Sequence, residues 1–246
     1  MYMTLIADSI TLQKENDFTF EDNGGCINSI RHIRPGEVWP ESDIRIRKES
    51  LLERGRDWLV VDNLIVHESI KQGKADRDKY LQNYQQSLIN LSRSGIKVVC
   101  FNFMPVFYKV RTHYTTSFPD KHVFSLFDMV AFMAFDLFIL ERKEAVYQYS
   151  SFQRHSAKCY FQKLDDSQKC MLQENVLRSV QSDMQTTLEE FMFKIQEYRT
   201  LSDGQLSTNL GWFENQVKPL SDSLRIKLHL NSDNPCAKLL GLPAVT

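Results

Sequence analysis

Net charge is nearly absent from this sequence: 30 Lys and Arg face 31 Asp and Glu, leaving −1 at pH 7. A chain without a surplus of either sign projects no long-range field toward nucleic acid or an anionic membrane, so neither partner is expected. Cysteine offers no framework. Cys26, Cys100, Cys159, Cys170 and Cys236 are scattered, odd in number and without a CxxC pair. That pattern points to reduced thiols and a cytoplasmic setting rather than a disulfide scaffold or a zinc ribbon. Glycine is scarce, with nine residues in the whole chain, few for a loop-rich enzyme. The opening MYMTLIADSITLQKEN has no basic start and no long apolar stretch, so no signal peptide is expected. The most apolar run, Phe124–Leu140, is interrupted by Asp128 and Asp136 and barely reaches spanning length; it reads as a buried helix. No internal repeat or low-complexity tract is present.

What is there is ordinary globular material. The 246 residues, 42% hydrophobic and 25% charged, suffice for one large domain or two small ones. The sharpest local signal is IKVVCFNFMPV at Ile96–Val106. Its apolar run Val98–Phe101, between Gly95 and Pro105, reads as a strand buried on both faces, as in a parallel sheet. Weaker strand candidates are Met3–Ala7, Cys26–Ile30, Trp58–Val61 and Leu224–Leu230, the last ending at His229. Between them, a helix is expected from Pro40 to about Arg54, with Gly55 as its stop. Another is expected over Arg77–Ser94, capped by Asp76, striped by Leu81, Tyr84, Leu88 and Leu91, and ended by Gly95. Strand, helix and strand joined by short links is the βαβ rhythm. Further on, Asp165 caps a helix to about Val180. Thr187 with Glu190 makes a capping box before Leu188–Tyr198, and Leu206, Leu210, Phe213 and Val217 form another stripe. In α/β folds the chemistry sits at the C-terminal ends of strands, which makes Asn102 and Arg111 the first polar groups to suspect.

FNFMPV followed by Arg111-Thr112 resembles a hallmark of bacterial mannonate dehydratases. IRPGEVWP at Ile33–Pro40, VVDNLIVHESIK at Val60–Lys71, NYQQSLINL at Asn83–Leu91, FDMVAFMAFDLFIL at Phe127–Leu140 and GLP at Gly241–Pro243 agree, in the family's order. The resemblance implies an α/β fold, a TIM-type (β/α) barrel of the xylose-isomerase-like group. The five strand candidates are fewer than the eight of a closed barrel. The expectation is therefore a single incomplete barrel domain over 1–246, with a helical sub-region at about 141–221 between strands four and five, truncated and diverged at both ends. Such an arc leaves an open edge and an exposed inner face, to be covered by a partner or another copy of the chain.

The family resemblance also implies an activity, the dehydration of D-mannonate to 2-keto-3-deoxy-D-gluconate in hexuronate catabolism with manganese or iron. The alternative is a catalytically dead homologue that acts as an interaction or subunit protein, or a relic. The reaction needs a base for the C2 proton, a cation for the enolate-like charge and an acid for the leaving C3 hydroxyl. His229 is the metal candidate: it stands where the family has a histidine before a Pro-Asp-Asp-Pro turn, here altered to Leu230–Pro235. Its bland reading is a histidine hydrogen-bonded at a strand end. One histidine does not hold a catalytic metal, and the family's other ligands, a cysteine and a second histidine among them, are expected beyond Thr246. Cys236 has no family motif behind it. Arg111 could fork onto the substrate carboxylate, although the family's Asp-Trp-Thr before it is Tyr108-Lys109-Val110 here. Asn102 could hold a sugar hydroxyl or tie down a loop. His32 and His67 follow strands two and three and are the acid–base candidates. Glu68 reads by default as a solvent-facing charge.

Overall fold

A computed structural model of the chain describes residues 10–14, 25–116, 123–181 and 186–245. The strand expected at Met3–Ala7 lies outside them. Four parallel strands, β2 (Gly25–Asn28), β3 (Asp57–Val61), β4 (Val98–Phe101) and β7 (Lys227–Leu230), form one sheet with neighbours in chain order. The α/β class and the parallel sheet are as expected.

Three long helices cover one face of this sheet: α1 (Glu41–Leu52), α3 (Arg77–Arg93) and α9 (Asp203–Ser223). Ile44 and Leu51 from α1, Leu81, Tyr84, Leu88 and Leu91 from α3, and Leu206, Leu210, Phe213 and Val217 from α9 pack with Val61, Val99 and Phe101. Each fully buried aliphatic or Phe side chain contributes roughly 1.5–3 kcal/mol. Phe213 centres the contact, with ring centroids 5.0 Å from Tyr84 and 5.4 Å from Phe101.

The opposite face is not buried, which corrects the two-sided reading of β4. Val99 and Phe101 are buried, while Val98 and Cys100 are half-exposed. A bulge opposite Cys26/Ile27 makes Leu59 an extra residue, since Cys26 pairs Trp58 and Ile27 pairs Val60. Leu59, on the face opposite the buried Trp58, is 43% exposed.

The helix stop at Gly95 is as read: its φ is +84°, and Ile96 N donates to Leu91 O at 3.1 Å. Asp76 precedes α3 but its side chain makes no cap hydrogen bond. Leu224–Ile226 is a turn and not strand, with Arg225 at φ +55°, so β7 begins at Lys227.

A second core follows β4. Antiparallel strands β1 (Ile10–Lys14), β5 (His113–Thr116) and β6 (Val123–Asp128) form a sheet in the order β1-β6-β5. This sheet was not expected, and it corrects the helix read over Phe124–Leu140. Asp128 divides that run: its carboxylate accepts from Val130 N at 2.8 Å and caps α4 (Met129–Phe138), leaving the preceding residues extended. Asp136, fully buried in α4, is paired with Arg142 at 2.9 and 2.7 Å and with the Tyr149 hydroxyl at 2.8 Å, which explains a charge in an apolar run. The helices α5 (Ala145–Gln148), α6 (Ser151–Phe161), α7 (Asp166–Leu177) and α8 (Leu188–Gln196) complete this half. The capping boxes at Asp165 and Thr187 are both formed. The two segments that leave the parallel sheet, 102–111 after β4 and 231–245 after β7, run into this second core through Met104, Phe107, Val110, Leu239 and Leu242. The C-terminal ends of β4 and β7 therefore lie at the seam between the halves. No helix among the described residues is long and apolar enough to cross a membrane.

Candidate functional site

Two polar groups of residues meet at that seam. The inner one is centred on Lys71, in the one-and-a-half-turn helix α2 (Glu68–Gln72) that follows β3. Lys71 has no exposure, and its ammonium donates to Glu68 Oε1 at 2.7 Å, Met104 O at 2.8 Å and Gln181 Oε1 at 3.3 Å. Gln181 in turn donates to Phe107 O at 2.7 Å and Asn102 Oδ1 at 3.4 Å, and Asn102 Oδ1 accepts from Met104 N at 2.9 Å. Glu68 Oε2 accepts from Val106 N at 3.2 Å and from the Tyr198 hydroxyl. Burial works to raise the Glu68 carboxyl, and the Lys71 ammonium with these hydrogen bonds outweighs it, so the group is held below its ordinary range. Asp233, just past β7, behaves oppositely: burial pushes its carboxyl up, only partly offset by Lys71 and by Asn102. It lines a water-sized cavity with Met104, Pro105, Leu239 and Leu242.

The outer group lies where β3 and β4 end. The Lys109 ammonium is 3.5 Å from Asp62 Oδ1, and Asn231 Nδ2 donates to Asp62 O at 3.0 Å. The Tyr108 hydroxyl is buried beside Asp62 without a well-directed hydrogen bond, and burial together with that carboxylate drives the phenol far up. Arg31, exposed after β2, is close enough to oppose that shift. Cys100 belongs to the same cluster, its thiol raised by burial and by Asp62. His229 is exposed on β7, directly across from Cys100.

The structure thus brings Asn102, Arg111 and His229 to one end of the sheet, sets His67 directly before Glu68 of the inner group, and leaves His32 apart. Arg111 is 1% exposed. Its Nε donates to Ser125 Oγ at 2.8 Å, and Nη1 donates to Val110 O at 2.7 Å and Asn234 Oδ1 at 2.9 Å. The His32 side chain is 70% exposed and pairs with Asp43 of α1 at 2.7 Å. His67 is the N-cap of α2: its Nδ1 accepts from Ser69 N at 3.1 Å, which places the proton of the neutral ring on Nε2. The ring stacks on Tyr80 at 3.4 Å, and a Cβ on Gly36 (φ +83°) would stand 2.7 Å from it, so only glycine fits that turn. Glu68 is not a solvent-facing charge but a member of the inner group.

Lys71, Gln181, Asp233 and Lys109 were not singled out from sequence. The i, i+3 spacing of Glu68 and Lys71 was a usable signal for the first. Nothing local marks Gln181, which is 110 residues from Lys71.

Among the described residues no group of three or more His, Cys, Asp or Glu side chains is placed to hold one metal ion. A catalytic divalent ion commonly takes about three protein ligands. The described residues do not by themselves make such a site; His229 offers a single imidazole beside the raised thiol of Cys100.

Comparison with known proteins places this geometry in a lineage. The D-mannonate dehydratase (UxuA) family profile matches residues 5–246. A mannonate dehydratase of Chromohalobacter salexigens is 37% identical over 222 residues, 90% of this chain and 57% of that protein. One from a Marinomonas species is 36% identical over the same shares. The crystal structure of mannonate dehydratase from Streptococcus suis serotype 2 superposes with a TM-score of 0.58 at 25% identity, over 89% of this chain and 49% of that one. The chain spans about half the length of these relatives.

Proposed function

We propose, on the premise that the chain belongs to the D-mannonate dehydratase family, that it binds a sugar acid at the seam and takes part in dehydrating D-mannonate to 2-keto-3-deoxy-D-gluconate. The setting is hexuronate catabolism in the cytoplasm. The observation that supports this reading is the gathering of polar side chains at the C-terminal ends of adjacent parallel strands, where α/β enzymes carry out their chemistry. We read the chain as one domain, and its four strands as an arc of a TIM-type barrel.

Loss of water from a 2,3-dihydroxy acid requires removal of the C2 proton and protonation of the C3 hydroxyl as it leaves. Asp233 is suited to the second task, because burial raises its carboxyl while Asn102 orients it. Asn102 has its Oδ1 committed to Met104 N and Gln181 Nε2, which leaves its amide nitrogen as the donor to Asp233. His229 is the imidazole that a manganese or iron ion would find among the described strand ends, too few donors by itself to hold one. His32 and His67 take no part in this arrangement, since one is tied to Asp43 and the other is spent on capping and stacking.

One observation favours a second reading, an interaction protein without turnover: the half-exposed face of the parallel sheet, with Leu59, Val98 and Cys100, is a surface another subunit could cover. The full chain, supplied with manganese and D-mannonate and followed by NMR, separates the two. Formation of the keto-deoxy acid is expected. Sugar-acid binding without product would favour the interaction reading, and neither binding nor product from a folded sample would overturn both the activity and the site.

A further inference from the structure

We infer that Lys109 is the group that receives the substrate carboxylate, and that Arg111 is a positioning residue that holds the Lys109 loop in place. The ligand class comes from the functional reading above; the assignment of roles comes from the geometry.

Arg111 is poorly placed to touch a ligand. Its guanidinium is buried, and reaching a substrate would break its bonds to Ser125 Oγ and Asn234 Oδ1. Those bonds have a visible consequence. Asn234 pairs in parallel with Lys109 through the backbone and accepts Val110 N at 2.8 Å through its carbonyl. Arg111, by fixing Asn234, fixes the backbone from which the Lys109 side chain springs.

Lys109 has what Arg111 lacks. Its side chain keeps 24% exposure at the ends of β3 and β4. The distance to Asp62, 3.5 Å, is longer than the roughly 2.7–2.9 Å of a charge-assisted hydrogen bond. The ammonium also lies over the face of the Tyr108 ring, 4.6 Å from the centroid, and within electrostatic reach of Cys100. An ammonium with three donors is therefore not saturated by these partners.

The surroundings specify the ligand further. Lys109 and Arg31 are cationic, Asp62 is anionic, and the sum suits a monocarboxylate. The Tyr108 hydroxyl is buried beside Asp62 and out of a ligand's reach. Asp62, with 29% of its side chain exposed, can accept from a sugar hydroxyl once Lys109 turns to the carboxylate. An uncharged polyol of the same length would meet the same hydroxyl partners without the charge that orients it.

The test is titration calorimetry on the full chain, with D-mannonate and D-mannitol as probes and each variant melted in parallel. Mannonate is expected to bind and mannitol not to. Lys109→Met should weaken mannonate binding about tenfold or more with an unchanged melting temperature, and Lys109→Arg should restore most of it. Arg111→Lys should lower the melting temperature. Equal mannonate affinity in wild type and Lys109→Met would overturn the inference, as would a wild-type chain that binds no mannonate. Binding through Lys109 without dehydration would overturn the activity and leave this assignment standing. Dehydration with a KM indifferent to Lys109→Met would do the reverse.

Discussion

The two halves of the molecule are stabilised differently. In the half built on the parallel sheet, three helices from βαβ crossovers press apolar stripes onto one sheet face, and the buried ammonium of Lys71 sits past the end of β3. In the half built on the antiparallel sheet, charge is carried into the interior: Asp136, Arg142 and Tyr149 form a closed hydrogen-bonded set beneath α4. The first half gains from non-directional burial and tolerates one half-exposed face. The second depends on every member of a polar set being paired. The seam has both features, because Lys71 ties the end of β4 to Gln181 of the second half.

The largest effect should come from breaking that tie. Lys71→Met leaves Met104 O, Glu68 Oε1 and Gln181 Oε1 without their donor, a loss of roughly 3–5 kcal/mol in chemical denaturation. Since the tie joins the halves, amide exchange should accelerate in both. Asp136→Asn removes the charge beneath α4 at a comparable cost of about 3 kcal/mol, and its faster exchange should be confined to α4, α5 and α6. Acceleration of β2, β3 and β4 to the same degree by Asp136→Asn would show that the halves are a single cooperative unit and erase the contrast.

Acid exposes a smaller difference. Burial lowers the pKa of His67 in the first half and of His113 in the second below the ordinary 6.5. The unfolded chain takes up these protons first as pH falls. The stability from the neutral rings is therefore complete above about pH 6.5 and is lost progressively below it, toward the folded pKa values. His67→Asn keeps a cap acceptor for α2 without the titrating ring, so it should flatten part of the decline in denaturation midpoint between neutral and mildly acidic pH. An unchanged pH slope would mean that His67 is as protonatable in the fold as outside it. The smallest effect belongs to His32→Ala. An exposed pair with Asp43 contributes little, and the melt should stay within about 0.5 kcal/mol of wild type.

This contrast also explains what could be read from sequence. The parallel half announces itself through apolar runs, stripes three and four residues apart, and a glycine at the end of α3, all of which are local signals. The antiparallel sheet does not, because Phe124–Leu140 is apolar apart from Ser125, Asp128 and Asp136, and periodicity cannot tell a buried strand from a buried helix. The capping bond of Asp128 decides the matter, and an aspartate inside an apolar run looks the same whether it caps or interrupts. At the site, strand-end position singled out Asn102 and Arg111, and the fold places both just past the C-terminal end of β4. The family motif drew attention to Arg111, a conspicuous charge, yet burial is a tertiary property, and the half-buried lysine two residues earlier is the one the fold leaves partly accessible. His67 was conspicuous for the same reason and proved to be occupied with its own helix.

The most direct measurement is amide hydrogen exchange of the full chain with and without D-mannonate. A sugar acid held at the seam should slow exchange in three segments, 62–64, 102–111 and 229–235, and leave the outer helices α5 and α6 unaffected. Slowing on those helices, or no slowing anywhere at saturating mannonate, would contradict the placement of the site at the C-terminal ends of the parallel strands.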